Sequence, residues 1–175
     1  FILELHIRPE RVTALEQRDP WTINAPFSQE TIGNRYSVSV GPVVPHRHKK
    51  EGPELAYLHA RDATPWGTLA DLPPRRQFSG TAHHPPFVVI RRTSSPSDKF
   101  RAIGTIINCA EPVAVENHLI ICKPHDGTIE TCQKLIEILR GNATSDWLNN
   151  RIRCRHLTVE AVKEIPISST PSISI

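Results

Sequence analysis

Three apolar runs separated by short polar segments dominate the pattern between residues 85 and 123. The first, residues 87–90, is continuous and mostly β-branched, which predicts a buried strand. A second apolar run covers residues 102–107, and residues 113–122 predict a third strand. The polar segment at residues 93–98 favours a turn. The pattern therefore predicts a sheet in which two strands bracket a loop.

This loop combines cations with hydroxyl groups. Arg91, Arg92, Lys99 and Arg101 accompany a single acid, Asp98. A rigid sheet that presents an arginine-rich, hydroxyl-rich loop suits contact with phosphates and base edges. A solvated hairpin tip is the alternative that composition alone favours.

Short strands and loops are predicted for the N-terminal half of the chain. Alternation of apolar and polar residues predicts strands at residues 1–7 and 36–40, and residues 54–59 form a further candidate. The run at residues 9–17 is helix-prone. Residues 60–80 lack periodicity, so we expect irregular structure there apart from one helical turn.

Helices are predicted for the C-terminal third. Thr128 is the expected N-cap of a helix whose apolar face ends at Gly141. A second helix follows, and Thr158 is the expected N-cap of a short third one. We therefore expect an α+β fold, with a mostly antiparallel central sheet, two to three C-terminal helices and long surface loops.

Composition limits the class of protein. The 175 residues predict one domain over residues 1–167, followed by a tail or linker at residues 168–175. The net charge of +3 permits an anionic partner without requiring one. The chain contains no Met and begins at Phe1, so we expect a fragment of a longer protein.

The four cysteines lie at wide, irregular spacings without a CxxC pair, which argues against a zinc ribbon or finger. We interpret them as free thiols in a reducing, cytoplasmic compartment. Cys109 and Cys122 are expected in strands, and Cys132 on a helix face. The pairs His83-His84 and Cys154 with His156 offer too few convergent ligands, so no metal site is predicted.

Two further cationic clusters are candidates for phosphate contact. One lies in a loop between predicted strands, and a solvated charge run is its alternative. The other lies at the end of the second predicted helix, where packing against the domain's own acids is equally plausible. The first consists of His46, Arg47, His48, Lys49 and Lys50, and the second of Arg151, Arg153, Arg155 and His156.

Glu116, Asn117 and His118 interrupt the predicted third strand. We expect at least one of them to form a structural hydrogen bond. Glu116 and His118 could form a catalytic pair, but no nucleophile stands at an identifiable spacing from them.

These residues resemble a known family. The run PPFVVIRRTSSPSDKFRAIGTIINCAEPVAVENHLIICKP, the predicted helix pair and the run WLNNRIRCRHLTVEAVKEIPI resemble the target-recognition domain of bacterial adenine-type DNA methyltransferases of restriction–modification systems. Leu157-Thr158 followed by Ile165-Pro166-Ile167 also resembles the end of type I specificity-subunit domains. Residues 40–62 are similar to the family's opening strand and basic loop.

The resemblance implies sequence-specific recognition of double-stranded DNA by a chain that is not itself an enzyme. No cofactor is expected here. The catalytic half, which binds S-adenosylmethionine and flips a base out of the duplex, would lie in another domain of the same protein or in a partner subunit. The alternatives are a small metal-dependent, nuclease-like hydrolase and a docking module for a catalytic subunit.

The resemblance also ranks the candidate residues. The first-choice DNA contacts are Arg91, Arg92, Thr93, Ser94, Lys99 and Arg101. The family's active-site signature has a near match in His84-Pro85-Pro86-Phe87. This match departs from the signature at its first position, where an amide or carboxylate is needed, so we predict no catalytic role for it.

Overall fold

Most of the apolar runs of the sequence form the middle layer of a three-layer structure, in the strands Phe87–Arg91, Gly104–Ile107 and Leu119–Pro124. A computed structural model describes residues 5–8, 11–14 and 30–167, apart from Pro73 and Arg153. In chain order, its elements are β1 (Leu5–Arg8), β2 (Arg11–Ala14), α1 (Ile32–Arg35), β3 (Tyr36–Val40), β4 (Glu54–Leu58), a 3₁₀ turn (Ala60–Asp62), β5 (Thr68–Leu69), β6 (Arg75–Gln77), β7 (Phe87–Arg91), β8 (Gly104–Ile107), β9 (Val113–Val115), β10 (Leu119–Pro124), α2 (Ile129–Arg140), α3 (Asn142–Arg151) and α4 (Val159–Lys163).

Two sheets form the layers on which the loops are built. The central sheet has the order β3-β10-β7-β8-β5 and is antiparallel except for the β5–β8 pair. The second sheet has the order β6-β4-β9, in which β4 and β9 run parallel. Strands β1 and β2 form a separate antiparallel pair. The predicted α+β fold with a mostly antiparallel central sheet is therefore confirmed.

The inner strands β7, β8 and β10 of the central sheet are buried on both faces, which explains their unbroken apolar runs. Val88 and Ile90 of β7 belong to a core that includes the buried side chains of α2. The alternate residues Phe87 and Val89 belong to a second core with Leu58 and other residues of the second sheet. These inner strands consequently need apolar side chains in both directions, whereas the edge strand β3 alternates apolar and polar residues.

Helix α2 begins and ends as its sequence predicts. The Thr128 side chain accepts a hydrogen bond from Thr131 N (3.3 Å) and caps the first turn. Cys132, Leu135, Ile136 and Leu139 form its buried face, and Gly141 follows its last residue. None of the helices in the described ranges has the length and apolarity needed to cross a membrane.

Three sequence predictions are wrong. The predicted third strand is two strands, β9 and β10, which belong to different sheets and are separated by a turn at residues 116–118. Residues 11–14 form a strand rather than part of a helix, in keeping with the β-branched Val12 and Thr13. Residues 60–80 contain two short strands, because β5 and β6 pair with neighbours distant in sequence.

The cysteines are free thiols, as predicted. Cys122 lies in β10 and Cys132 on the buried face of α2, whereas Cys109 lies beyond the end of β8 rather than in a strand. Burial raises the pKa of Cys132 to about 12. Cys132 therefore packs as a small apolar side chain.

Candidate nucleic-acid interface

Strands of both sheets end at one edge of the molecule. β3 and β7 both end beside the first residues of β10. In the second sheet, β4 and β9 run parallel and end together at Leu58 and Val115. The connections that follow therefore lie side by side. We call them the loop edge, which comprises residues 41–44, 59–63, 92–103 and 116–118.

The turn at residues 116–118 is fastened to its neighbours through the backbone. Asn117 N donates a hydrogen bond to Val43 O (2.9 Å), and Arg92 N donates one to His118 O (3.0 Å). These bonds connect the turn with the loops that follow β3 and β7. The loop edge is thus one connected surface.

A later segment of the chain joins this surface. Ser94 N donates to Arg155 O (2.8 Å), and Leu157 N donates to Arg92 O (2.7 Å). The exposed side chains of Arg155 and His156 therefore lie beside the β7–β8 connection. Sequence reasoning placed these residues in a separate cluster, because nothing in the local pattern signals this pairing.

Arg91 and Arg92 bind the chain's own backbone. Arg91 Nη2 donates to Ala63 O (2.6 Å), and Arg92 Nη1 donates to Asn117 O (3.0 Å). Both side chains are partly buried. These hydrogen bonds hold adjacent loops together. Direct contact of Arg91 and Arg92 with DNA remains a prediction.

Arg101 and Ser94 were predicted to contact DNA, and the structure buries both side chains. Arg101 is 0% exposed, and its Nη2 donates to Ile152 O and Cys154 O (both 3.1 Å). Burial lowers the pKa of this guanidinium. Ser94 is buried as well. Neither side chain can reach a ligand at the surface in this structure.

Thr93 and Lys99 remain exposed on the same connection. The Lys99 ammonium lies over the Phe100 ring, 5.2 Å from its centroid. The carboxylate of Asp98 accepts a hydrogen bond from Ser95 N (2.6 Å) and so closes the turn. Of the six first-choice residues, these two keep the exposure that contact with DNA requires.

The predicted basic loop at residues 46–50 is exposed, and the second sheet holds its backbone. Arg76 Nη2 of β6 donates to His48 O (2.9 Å) and Pro45 O (3.2 Å). The His48 ring packs against Phe78, with ring centroids 5.4 Å apart, and its Nδ1 accepts from Val44 N. Arg47, Lys49 and Lys50 therefore extend from an anchored loop.

The described residues of the third predicted cluster, at the end of α3 and beyond, have different surroundings. Arg151 Nε donates to the Glu164 carboxylate (2.8 Å), and this contact raises the pKa of Arg151. Packing against the domain's own acid thus accounts for Arg151. Arg155 is exposed at the loop edge, and Arg153 lies outside the described residues.

Glu116 is the buried acid beneath this surface, with a 3% exposed side chain. Its Oε1 lies 3.1 Å from His118 Nδ1 and 3.3 Å from His59 Nε2. Its Oε2 accepts a hydrogen bond from Ala60 N (2.7 Å). The expected structural hydrogen bond at residues 116–118 is therefore confirmed.

The charge of Glu116 also affects a nearby phenol. The pKa of Tyr57 is raised first by burial and then by the Glu116 carboxylate. No hydroxyl or thiol of the described residues forms a hydrogen bond with the His118 side chain, which gives the Glu116–His118 pair no adjacent nucleophile. The described residues also contain no group of three or more His, Cys, Asp or Glu arranged to hold a metal ion.

Sequence reasoning missed Arg61 and His59. Arg61 is 78% exposed and lies in the 3₁₀ turn that follows β4, paired only loosely with Asp62 at 3.5 Å. The available signal was a His-Ala-Arg sequence directly after a predicted strand, where functional side chains often stand. The His84–Phe87 near match runs into the first residue of β7 and therefore lies at the end of this strand opposite to the loop edge.

Comparison with known proteins identifies a likeness in fold. No family model and no curated protein matches the chain. A chain from a structure describing the complex assembly and conformational transition of a type I restriction–modification system superposes with a TM-score of 0.52 and 12% sequence identity. The match covers 79% of this chain and 34% of that chain. The likeness shows a shared fold over about a third of the neighbour's length.

Proposed function

We propose that this chain is a DNA-recognition domain with a role in restriction–modification, and that it reads double-stranded DNA without carrying out chemistry itself. The observation that carries the proposal is the convergence of loops from both sheets at the loop edge. This surface presents the exposed cations Arg61, Lys99 and Arg155 together with the exposed acid Asp98, while Glu116 is buried.

The physical roles divide by side-chain type. Arg61, Lys99 and Arg155 are exposed cations suited to phosphate oxygens, which set the position of a protein on a duplex. The turn at residues 116–118 is held rigidly between two loops, which suits selection among base edges. Arg91 and Arg92 support this arrangement from beneath.

The fold likeness supports the restriction–modification context. A type I restriction–modification chain shares this fold over about a third of its length. We propose that a methyltransferase domain, in the same protein or in a partner subunit, binds S-adenosylmethionine and acts on the DNA that this domain positions.

Duplex-DNA binding measured by fluorescence anisotropy over a series of salt concentrations tests the proposal. Each phosphate contact contributes about −0.9 to the slope of log K against log[salt]. Arg61→Ala with Arg155→Ala should weaken binding and make the slope shallower by about 2.

The matched control removes two cations elsewhere. Lys134 of α2 and Lys163 of α4 lie on the helical layer, so Lys134→Ala with Lys163→Ala should leave the slope nearly unchanged. If the wild-type chain does not bind duplex DNA at low salt, the proposal is overturned. Equal losses in both double variants would show that the loop edge is not the binding surface.

A further inference from the structure

In two hydrogen bonds near Glu116 the donor is a backbone N–H, so donor and acceptor are fixed. Arg61 N–H donates to His59 Nδ1 (3.1 Å), so this nitrogen carries a lone pair rather than a proton. His59 Nε2 therefore carries the ring proton and lies 3.3 Å from Glu116 Oε1. Ala60 N–H donates to the other carboxylate oxygen. A backbone N–H cannot accept, so neither donation can be reversed.

The same carboxylate determines which ring nitrogen of His118 carries a proton. A carboxylate has only lone pairs to offer, so its contact with His118 is a donation from Nδ1–H to Oε1 (3.1 Å). In the neutral form of His118 this proton is the only one on the ring, and Nε2 then has a free lone pair. The side chain is 58% exposed, and no described residue bonds to Nε2.

We propose, on the basis of the proposed DNA-recognition function, that His118 is a specificity-determining residue that accepts a hydrogen bond from an exocyclic amino group in the major groove. Adenine N6 and cytosine N4 are the donors that this groove presents. Guanine O6, guanine N7 and thymine O4 are acceptors and cannot satisfy a free lone pair. A phosphate has no proton to donate either, so His118 reads bases rather than the backbone.

The turn that carries His118 is braced against movement. Arg92 bonds to the carbonyl oxygens of both Asn117 and His118, through its side chain and its backbone N–H respectively. Asn117 N donates to Val43 O. With Glu116 also fixing Nδ1, both the ring and its proton are oriented before DNA arrives, which is the requirement for selective readout.

Selection of preferred sites from a random duplex library tests this proposal. The wild-type chain should prefer adenine or cytosine at one position, and His118→Ala should reduce that preference by about tenfold. The slope of log K against log[salt] should not change, because no phosphate contact is lost. The control His125→Ala removes an exposed imidazole beyond the far end of β10 and should alter neither quantity.

A modified duplex isolates the proposed contact. Replacing the preferred adenine by purine, or cytosine by its analogue without the amino group, removes only the donor. Wild-type affinity should fall by about tenfold, whereas His118→Ala should bind both duplexes equally, as expected for two groups that interact.

The possible failures are distinct. Wild-type chain that does not bind duplex DNA would overturn the proposed function and this inference together. Salt-dependent binding in which His118→Ala retains the base preference would overturn the inference alone. A salt slope shallower by about 1 in His118→Ala would also overturn it, because His118 would then be a phosphate contact.

Discussion

At the scale of single residues, the cations of the 92–103 connection illustrate how one residue type serves opposite purposes. Lys99 is exposed, whereas Arg101, two positions later, is 0% exposed. The guanidinium of Arg101 satisfies the carbonyl oxygens of Ile152 and Cys154, just beyond the end of α3. These hydrogen bonds join the β7–β8 connection to the helical layer.

Shortening Arg101 should therefore destabilise the fold. Arg101→Ala removes two partly buried hydrogen bonds and leaves a cavity, so we expect the free energy of unfolding to fall by about 3 kcal/mol. Arg101→Met fills most of the volume and should cost less. Urea unfolding measures both, with Lys99→Ala as a surface control that should change stability by less than about 0.5 kcal/mol. Equal stability of Arg101→Ala and Lys99→Ala would contradict the structural role.

At the scale of elements, the sequence correctly predicted the strands and helices that are determined by their own local pattern. Strand β7 and helix α2 carry their own apolar pattern and, for α2, a capping threonine. The separation of β9 from β10 was missed because the apolar pattern continues through residues 113–122 apart from three polar residues. What produces the turn there is contact with distant segments, since Glu116 binds Ala60 N and Asn117 binds Val43 O.

The close approach of Gly41 to this turn gives a test. A Cβ at Gly41 would lie 2.7 Å from the carbonyl oxygen of Val115 and closer still to that of Glu116. Gly41→Ala should therefore displace the turn and lower the free energy of unfolding by more than about 2 kcal/mol.

Gly127 supplies the matched comparison for this prediction. Its φ of +65° disfavours a side chain, but a Cβ there would meet no atom within 4 Å. Gly127→Ala should lower the free energy of unfolding by only about 1 kcal/mol, because alanine is disfavoured in this backbone conformation. Thermal or urea unfolding of both variants checks the difference. A smaller loss for Gly41→Ala than for Gly127→Ala would show that the turn is not tightly held.

At the scale of the whole molecule, the layered arrangement decides which residues meet. Arg61, His118 and Arg155 are far apart in sequence, yet strand ends and the pairing of residues 92–94 with 155–157 bring them to one edge. The sequence indicated the chemistry of the surface through its arginines and lysines. It could not indicate the surface itself, because parallel pairing of β4 with β9 depends on contacts between distant segments.

The basic loop extends this argument to a larger interface. It starts at the loop edge beside Val43 and is held against β6 by Arg76, so Lys49 and Lys50 extend from a loop that is anchored on the second sheet. If the same duplex covers both regions, Lys49→Ala with Lys50→Ala should make the slope of log K against log[salt] shallower by about 2. Combination with Arg61→Ala and Arg155→Ala should bring the total change to about 4, because the sites are separate. Base preference should persist in the Lys49/Lys50 variant, since phosphate contacts weaken binding to all sequences alike. An unchanged slope would confine the DNA to the loop edge and leave residues 46–50 as a solvated loop.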